Sequence, residues 1–420
     1  MRQIMFSFVL IAWVLGSSVC SQSQETVSPT VYRLDPSADL QYRLQELLVQ
    51  AVPGDVIEFG VGTFHLTRQI DIATESITLR GQGPSQTRLS FKGPLSGGQG
   101  IEATGDNFFI EHLAIEDTSG NAVKVIGASN VTLREVRTEW TGGTKSSNGA
   151  YGLYPVQCSN VLIDSCIAIG ASDAGIYVGQ SRGVVVRGCR AERNVAGIEI
   201  ENTVGADVYD NRVTDNAGGL LVFDLPGLQL KAGGNVRLFR NHVIGNNHKN
   251  FAAPGNIVAN VPSGTGVMIM ATDHVEVFDN EIKNNQTANV VVVSYLISGK
   301  KVNDRTYDPI SEAVSIHDNR ISGGGEKPSG ELGRSLAPAL GTPLPDILYD
   351  GVVAPHRLVD GRLPDTLRMS IVNNGDATFV NFKLADLTPE NIGTGRYKPS
   401  RDVTPYAKLR PPVAEIKLKD

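Results

Sequence analysis

The sequence has few cysteines and no basic cluster, and each of these features argues against a class of protein. Four cysteines occur among 420 residues and none forms a Cys-x-x-Cys pair, so zinc ribbons, thioredoxin-like motifs and covalent haem are unsupported. Lysine and arginine number 38 against 44 acidic residues, which leaves a net charge of −6. With no basic patch, we expect no nucleic-acid partner.

Metal-ligand patterns are also missing. The seven histidines form no group with ligand spacing, and the Asp-rich glycine repeat of calcium-binding β-rolls is absent. We therefore expect no metal and no cofactor. A calcium site made from Asp173, Glu199 and Glu201 remains the alternative.

Long apolar runs are confined to the N-terminus. Residues 4–15 are apolar and are followed by small residues, which is typical of a signal peptide over residues 1–22. The run is too short for an ordinary membrane span. We expect cleavage and export to the periplasm or cell envelope. The alternative is a lipid anchor at Cys20, although Val19 occupies the position where a lipobox has a small residue.

What the sequence does contain is one short pattern, repeated through its middle. Each copy is a strand of alternating apolar residues, and successive copies end 23, 30, 23, 22, 30, 39 and 39 residues apart, at Leu113, Val136, Cys166, Cys189, Asn211, Asn241, Asn280 and Asn319. A minimum spacing near 22 indicates one structural unit with loops inserted in some copies. A unit of this size cannot bury its apolar side alone, so the units must stack.

Each unit holds a second short strand of the form Gly-apolar-x-apolar, as in Gly175–Val178 and Gly197–Ile200. Strands rich in Val, Ile and Gly with period-two alternation predict an all-β chain. Stacking about 4.8 Å apart makes it a parallel β-helix. We predict a signal peptide over 1–22, an N-terminal segment with a cap helix over 23–52, the β-helix over 53–325 and an irregular C-terminal cap over 326–420. The chain is expected to be a monomer.

The recurring asparagines are interpreted as structural, because Asn tolerates left-handed backbone and bonds to the Asn above or below it. Cys166 and Cys189 occupy the same column two and one turns before Asn211. We expect buried thiols there, and an exported location permits a disulfide as the alternative.

Loop insertions flank the Gly-apolar-x-apolar strands on both sides, which predicts a trough with these strands as its floor. Its outward side chains are Tyr154, Tyr177, Glu199, Leu221 and Met268. Tyr154 and Tyr177 are predicted to bind a sugar ring, with Lys145 and Arg193 as further binding residues. Asp173, Glu199, Glu201 and Tyr177 are the candidate catalytic residues, because adjacent turns bring carboxyls to the separation of a retaining glycosidase pair. The alternative is an ordinary solvated sheet face.

Two resemblances refine the prediction. Residues 50–325 resemble the right-handed parallel β-helix repeat superfamily, and most closely an exported bacterial family without a settled role. The tandem coils 151–156 and 172–178 carry this resemblance, which implies an envelope partner, since the genes of that family tend to lie beside a di-haem c-type cytochrome. Residues 151–160 are similar to alginate C5-epimerases, whose motif is Tyr-Gly-Phe-Asp-Pro-His. Tyr154 and Val156 stand at the Asp and His positions.

Two functional hypotheses remain. The first is a protein that binds or modifies a polysaccharide, as a lyase, epimerase or hydrolase if it is an enzyme. The second is a non-catalytic envelope protein whose loops contact a protein partner, such as a c-type cytochrome. Apolar loop residues such as Phe251, Ile257 and Val258 would favour the second hypothesis if they formed a docking surface.

Overall fold

The computed structural model describes residues 29–93 and 96–419, and it contains stacked coils of short parallel strands. Each coil passes through three faces. The first and second faces form a 20-stranded sheet and the third face forms an 11-stranded sheet. Every strand pairs in parallel with the equivalent strand one coil away, for example Ala174–Gly179 with Ala196–Glu201. The predicted all-β parallel β-helix is confirmed.

The strand bounds follow the three faces. The first face contains Val31–Leu34, Val56–Phe59, Thr78–Arg80, Phe109–Glu116, Ser129–Glu139, Ser159–Asp164, Arg182–Arg187, Val204–Tyr209, Gly234–Phe239, Asp273–Phe278, Ser315–His317 and Ser370–Val372. The second contains Gly62–His65, Thr87–Ser90, Ile167–Ile169, Arg190–Glu192, Arg212–Thr214, His242–Ile244, Glu281–Lys283 and Arg320–Ser322. The third contains Arg68–Ile72, Ser96–Ala103, Val123–Ile126, Tyr151–Val156, Ala174–Gly179, Ala196–Glu201, Gly218–Phe223, Thr265–Met270, Ala288–Val293, Ile347–Tyr349 and Phe379–Asn381.

Helices are short and lie at the ends and in the loops. The α-helices are Leu40–Gln50, Gly330–Leu340 and Pro389–Gly393, and the 3-10 helices are Ile257–Asn260, Tyr295–Ser298, Pro355–Arg357, Leu384–Asp386 and Thr404–Tyr406. Leu40 and Leu44 of the first helix are buried in the core, as expected of a cap. No helix within residues 29–93 and 96–419 has the length and apolar character needed to cross a bilayer.

Paired strands extend beyond the predicted 53–325 range at both ends. Val31–Leu34, which lies in the predicted N-terminal segment, pairs with Val56–Phe59, because its alternating side chains suit the first coil. Ser370–Val372 and Phe379–Asn381 pair with the last coils. The predicted signal peptide and Cys20 lie outside the described residues.

The C-terminal tail crosses the outside of the first face. The backbone N–H of Val413 donates to Glu276 (3.0 Å), that of Ile416 to Asp207 (3.1 Å) and that of Lys419 to Asn160 (2.9 Å). These acceptors belong to different coils, so the tail ties several coils together.

The core consists of columns of like residues, as the stacked repeat predicts. One column on the third face contains Ile176, Ile198, Leu220, Val267, Val290 and Ile347, all at most 1% exposed. At roughly 1.5–3 kcal/mol for each fully buried apolar side chain, such columns dominate the folding free energy.

Two ladders of buried asparagines lie at the corners of the coils, where the chain passes from one face to the next. Asn211, Asn241, Asn280 and Asn319 donate side-chain hydrogen bonds from one coil to the next, which confirms their structural role. A second ladder, which the sequence analysis missed, runs through Asn194, Asn216, Asn246, Asn285 and Asn289.

Cys166 and Cys189 lie in the first of these columns as expected. Both are buried free thiols, and the backbone N–H of Cys166 donates to Cys189 Sγ at 3.4 Å. Burial raises the pKa of the Cys166 thiol, which keeps it protonated and unreactive. The alternative of a disulfide between them is wrong.

Candidate functional site

The outward side chains of the third face form one column that changes character along the molecule. From the N-terminal coils onward it contains Asp71, Glu102, Lys124, Tyr154, Tyr177, Glu199, Leu221, Met268, Val291, Leu348 and Val380. The predicted alignment of Tyr154, Tyr177, Glu199, Leu221 and Met268 is therefore confirmed. The column passes from polar, through aromatic and acidic, to apolar.

The predicted open trough is wrong for the apolar part of this column. Leu221 and Met268 are buried beneath the chain's own loops and the helix Gly330–Leu340, whose Leu336 is buried with them. The prediction erred because it treated the inserted loops as walls. Leucine and methionine in the column favour a loop that lies across the sheet, since burial removes their apolar surface from water.

The apolar loop residues therefore cover the sheet and form no docking surface. Val258 is 1% exposed, and Phe251 and Ile257 pack against the same apolar cluster. These apolar loop residues would have favoured a protein partner if they were exposed. Because they pack against the chain's own sheet, they give no support to that hypothesis.

Where the column changes from polar to apolar, three tyrosine rings meet. The ring centroids of Tyr151 and Tyr154 are 4.5 Å apart, those of Tyr151 and Tyr177 are 4.6 Å apart, and those of Tyr154 and Tyr177 are 5.0 Å apart. Tyr177 is buried, whereas Tyr151 and Tyr154 are half-buried. The two half-buried rings are the part of this group that a ligand can reach.

Gly179 allows Tyr177 to take its position. A Cβ at Gly179 would lie 2.2 Å from the Tyr177 hydroxyl, so the ring occupies the space that any other side chain would fill. Because Gly179 pairs in register with Glu201, the hydroxyl reaches the next coil and donates to Glu201 Oε1 at 2.7 Å.

Three carboxyl groups lie beside the tyrosines, and together these six residues are called the tyrosine–carboxyl cluster. Asp173 is 6% exposed, and its Oδ2 accepts a hydrogen bond from Asn256 Nδ2 at 3.0 Å. Glu201 accepts from Tyr177 as described. Glu199 is 1% exposed, and neither of its carboxyl oxygens has a hydrogen-bond partner.

Burial controls the protonation of this cluster. Burial, reinforced by the negative charge of Glu201, raises the pKa of Asp173 to about 7, while hydrogen bonds from Asn256 and Tyr151 partly oppose the shift. Burial first, and then the charges of Asp173 and Glu201, raise the pKa of Glu199 well above its ordinary value. The pKa of Glu201 is raised by burial and lowered by its bond from Tyr177. The site therefore holds protons at neutral pH.

Two of the predicted binding residues lie apart from this cluster. The guanidinium of Arg193 pairs with Glu192 at 3.4 Å and is 46% exposed. Lys145 lines a recess of about 390 Å³ with Asp117 and Trp140, whose lining includes no member of the cluster. The alignment of the repeats predicted that Lys145 and Arg193 lie near the third face. Both residues belong to loops between strands, and these loops direct the two side chains away from the tyrosine–carboxyl cluster.

Sequence reasoning missed two residues at the site. Tyr151 pairs in register with Ala174, which pairs with Ala196, so small residues on the next coils leave space beside its ring. A large residue followed by alanines in the aligned repeats is a usable signal. Asn256 belongs to a loop 83 residues away from Asp173, and no periodicity reports such a contact.

The alternative of a calcium site at Asp173, Glu199 and Glu201 has no geometric support. Among the residues that the structure describes, acidic ligand atoms lying within 4.8 Å of one another are found at Asp273, Asp308 and Glu312. The carboxyl groups of Asp173, Glu199 and Glu201 do not all lie within this distance of one another.

The stacked coils define a parallel β-helix protein. The family described as right handed beta helix region matches residues 99–261 of the chain. No curated protein sequence matches it at a significant level.

Several solved structures are similar in fold. The mannuronan C-5 epimerase AlgE4 A-module of Azotobacter vinelandii is 14% identical, with a TM-score of 0.47 over 75% of this chain and 88% of that one. The family 28 exopolygalacturonase of Yersinia enterocolitica is 12% identical, with a TM-score of 0.43 over 77% and 69%. The DFA-IIIase of Arthrobacter chlorophenolicus A6 is 11% identical, with a TM-score of 0.46 over 82% and 99%. These likenesses assign no residue of the site.

Proposed function

We propose that this protein binds a polysaccharide at the tyrosine–carboxyl cluster. The observation that carries the proposal is the pair of half-buried rings, Tyr151 and Tyr154, packed 4.5 Å apart beside the buried carboxyl groups of the cluster. An aromatic face offers the apolar contact that a sugar ring needs, and a neighbouring polar group supplies orientation.

The N-terminal part of the same column extends the binding surface. Lys124 lies one coil before Tyr154 and its Nζ donates to Glu102 Oε2 at 3.0 Å, with both side chains partly exposed. Because the coils rise about 4.8 Å each, these polar groups form a line that leads to the tyrosines. Such a line suits an extended polymer better than a compact ligand.

Asp173 is the residue that would transfer a proton if the protein modifies the polysaccharide as well as binding it. A carboxyl with a pKa of about 7 exchanges a proton readily at neutral pH, as a lyase, epimerase or hydrolase requires. Asn256 covers this carboxyl, so direct contact between Asp173 and a sugar requires the Asn256 loop to move.

The test is a binding screen of the mature protein against neutral and uronate polysaccharides, followed by titration calorimetry of any positive glycan. Tyr154→Ala should weaken binding about tenfold, because about 1.4 kcal/mol of aromatic contact is removed. Tyr209→Ala is the matched control, since Tyr209 is a half-buried tyrosine of the first face that stacks on Phe239.

Two outcomes would contradict the proposal. One is the absence of binding across the panel. The other is an equal loss of affinity in Tyr154→Ala and Tyr209→Ala, which would place the glycan elsewhere. If a glycan binds, its incubation with the wild type and with Asp173→Asn, followed by product analysis, tests the catalytic part separately.

We also propose that the protein is exported, on the basis of the predicted signal peptide over residues 1–22. Cell fractionation should place a C-terminally tagged chain in the periplasm or envelope, with a mass that shows cleavage near residue 22. Retention in the cytosol at full length would contradict this, and a lipid adduct at Cys20 would favour the alternative anchor.

A further inference from the structure

A second group of acidic side chains lies where the chain passes from the third face to the first. One carboxylate oxygen from each of Asp273, Asp308 and Glu312 lies within 4.8 Å of the other two. These three residues, called the Asp273 cluster, come from different segments. Asp273 begins a strand of the first face, and Asp308 and Glu312 belong to the loop that precedes Ser315–His317.

Glu312 is the member of the Asp273 cluster that lacks hydrogen bonds. Glu312 is 3% exposed, and neither of its carboxylate oxygens accepts a hydrogen bond. A buried carboxylate without a donor is energetically costly, so a chain rarely keeps one without a compensating ligand. One Glu312 oxygen lies within 4.8 Å of a carboxylate oxygen of Asp273 and of Asp308.

Neighbouring groups compensate this charge only in part. Arg357 donates to Asp308 Oδ2 at 3.1 Å and approaches Glu312 Oε2 at 3.4 Å without forming a hydrogen bond. The backbone N–H of Glu312 donates to Asp273 Oδ1 at 2.8 Å. When all three carboxyls are ionised, as cation binding requires, they and the one guanidinium leave two negative charges, which equals the charge that one divalent cation neutralises.

A further carboxyl nearby lacks a complete set of partners. Asp224 is 2% exposed and its Oδ1 has no hydrogen-bond partner, and the charge of Asp273 contributes to its electrostatic environment. The Tyr307 hydroxyl, one residue from Asp308, donates to the Asp224 carbonyl at 2.6 Å. Asp224 is thus tied to the same loop.

We propose that Asp273, Asp308 and Glu312 bind a calcium ion. Calcium takes six to eight oxygen ligands at about 2.3–2.6 Å in irregular geometry, so oxygens up to about 5 Å apart fit around one ion. Magnesium demands near-octahedral ligands at about 2.0–2.1 Å, which suits three carboxylates on a loop less well. The bound ion joins the loop of residues 294–314 to the coil that begins at Asp273.

Titration calorimetry of the EDTA-treated full chain with calcium chloride tests this proposal, together with thermal unfolding in EDTA and in calcium. We expect saturable binding of one ion and a higher Tm in calcium. Glu312→Gln should weaken calcium binding at least tenfold and remove the Tm increase. Asp304→Asn is the matched control, because Asp304 lies on the same loop but pairs with Lys231.

Three outcomes would contradict the proposal or the choice of calcium. No calcium heat in the wild type, or an equal affinity in Glu312→Gln, would overturn the proposal, and magnesium bound as tightly as calcium would overturn the choice of ion. If Glu312→Gln does not fold, Asp308→Asn replaces it, since the Asp308 side chain is 31% exposed and tolerates change. Glycan binding plays no part in these measurements.

Discussion

Replacing Asn241 with alanine should lower the free energy of unfolding by roughly 3–6 kcal/mol, since each buried polar group left without a partner costs about 1–3 kcal/mol. Asn241 is 1% exposed, and its Nδ2 donates to the Val208 carbonyl and to Asn280 Oδ1. Its Oδ1 accepts from the backbone and the side chain of Asn211. Alanine leaves the Val208 carbonyl and the Asn211 backbone N–H without these partners inside the coil stack. Asn280 Oδ1 keeps the backbone N–H of residue 241, and Asn211 Nδ2 keeps the Val186 carbonyl. Urea unfolding followed by circular dichroism measures the loss.

Asn160→Ala is the matched control for this substitution. Asn160 also donates to an asparagine of the preceding coil, at 2.7 Å, but this pair is exposed to solvent. Water replaces this partner and the Lys419 backbone groups that also bond to Asn160. With about 1 kcal/mol for alanine at the positive φ of this residue, the cost should stay below about 2 kcal/mol. Equal costs at the two positions would show that burial of the ladder does not determine its contribution.

The stability of the protein should fall as the pH rises from about 4 to about 7. Burial raises the pKa of Asp173, Asp224 and Asp273 to about 7 in the folded chain, whereas the unfolded chain releases these protons near pH 4. Between these values the folded chain binds more protons, so a rise in pH favours unfolding. A shift of this size corresponds to about 4 kcal/mol for each group.

The pH dependence is measured by urea unfolding at pH 4 to 8 in EDTA, so that metal binding does not affect Asp273. Carboxyls whose pKa is lowered by ion pairs, such as Asp164 and Asp210, act below pH 4 and do not offset this trend. A stability that increases steadily from pH 4 to 8 would contradict the burial argument.

Glu199→Leu tests the same argument at one residue. Glu199 precedes Leu221 in the outward column, and its oxygens have no partners. Leucine should raise the free energy of unfolding at pH 7 by about 1–4 kcal/mol, and it should reduce the decline with pH. Glu102→Leu is the control, since Glu102 lies in the same column but is partly exposed and paired with Lys124. A destabilised Glu199→Leu would mean that the carboxyl makes a contact other than those described.

The architecture was predictable because it depends on local periodicity. Alternation of period two and a minimum spacing near 22 residues require stacked coils, and stacking puts residues such as Tyr177, Glu199 and Leu221 in one column whatever the loops do. The same repeat placed Asn211 and Cys189 in one column. After residue 326, the sequence shows strand character over residues 366–383, where Ser370–Val372 and Phe379–Asn381 lie. It did not predict Ile347–Tyr349, because an isolated three-residue strand carries too little pattern.

The site was predictable only in part. Register brought Asp173, Tyr177, Glu199 and Glu201 together, because their positions within the repeat are equivalent or adjacent. Lys145 and Arg193 sit at coil corners, where loop conformation determines the direction of the side chain. No sequence pattern could reveal that a distant loop places Asn256 on Asp173.

By itself, the sequence determined the coil, the columns and the identity of the residues on the third face, since these follow from backbone geometry that repeats every turn. Tertiary structure alone decided which of those residues are covered. Loops such as residues 294–310 pack across Leu221 and Met268, leave Tyr151 and Tyr154 half-buried, and bring Asp308 and Glu312 to Asp273. Loop packing depends on contacts between residues far apart in the chain, and periodicity carries no information about such contacts.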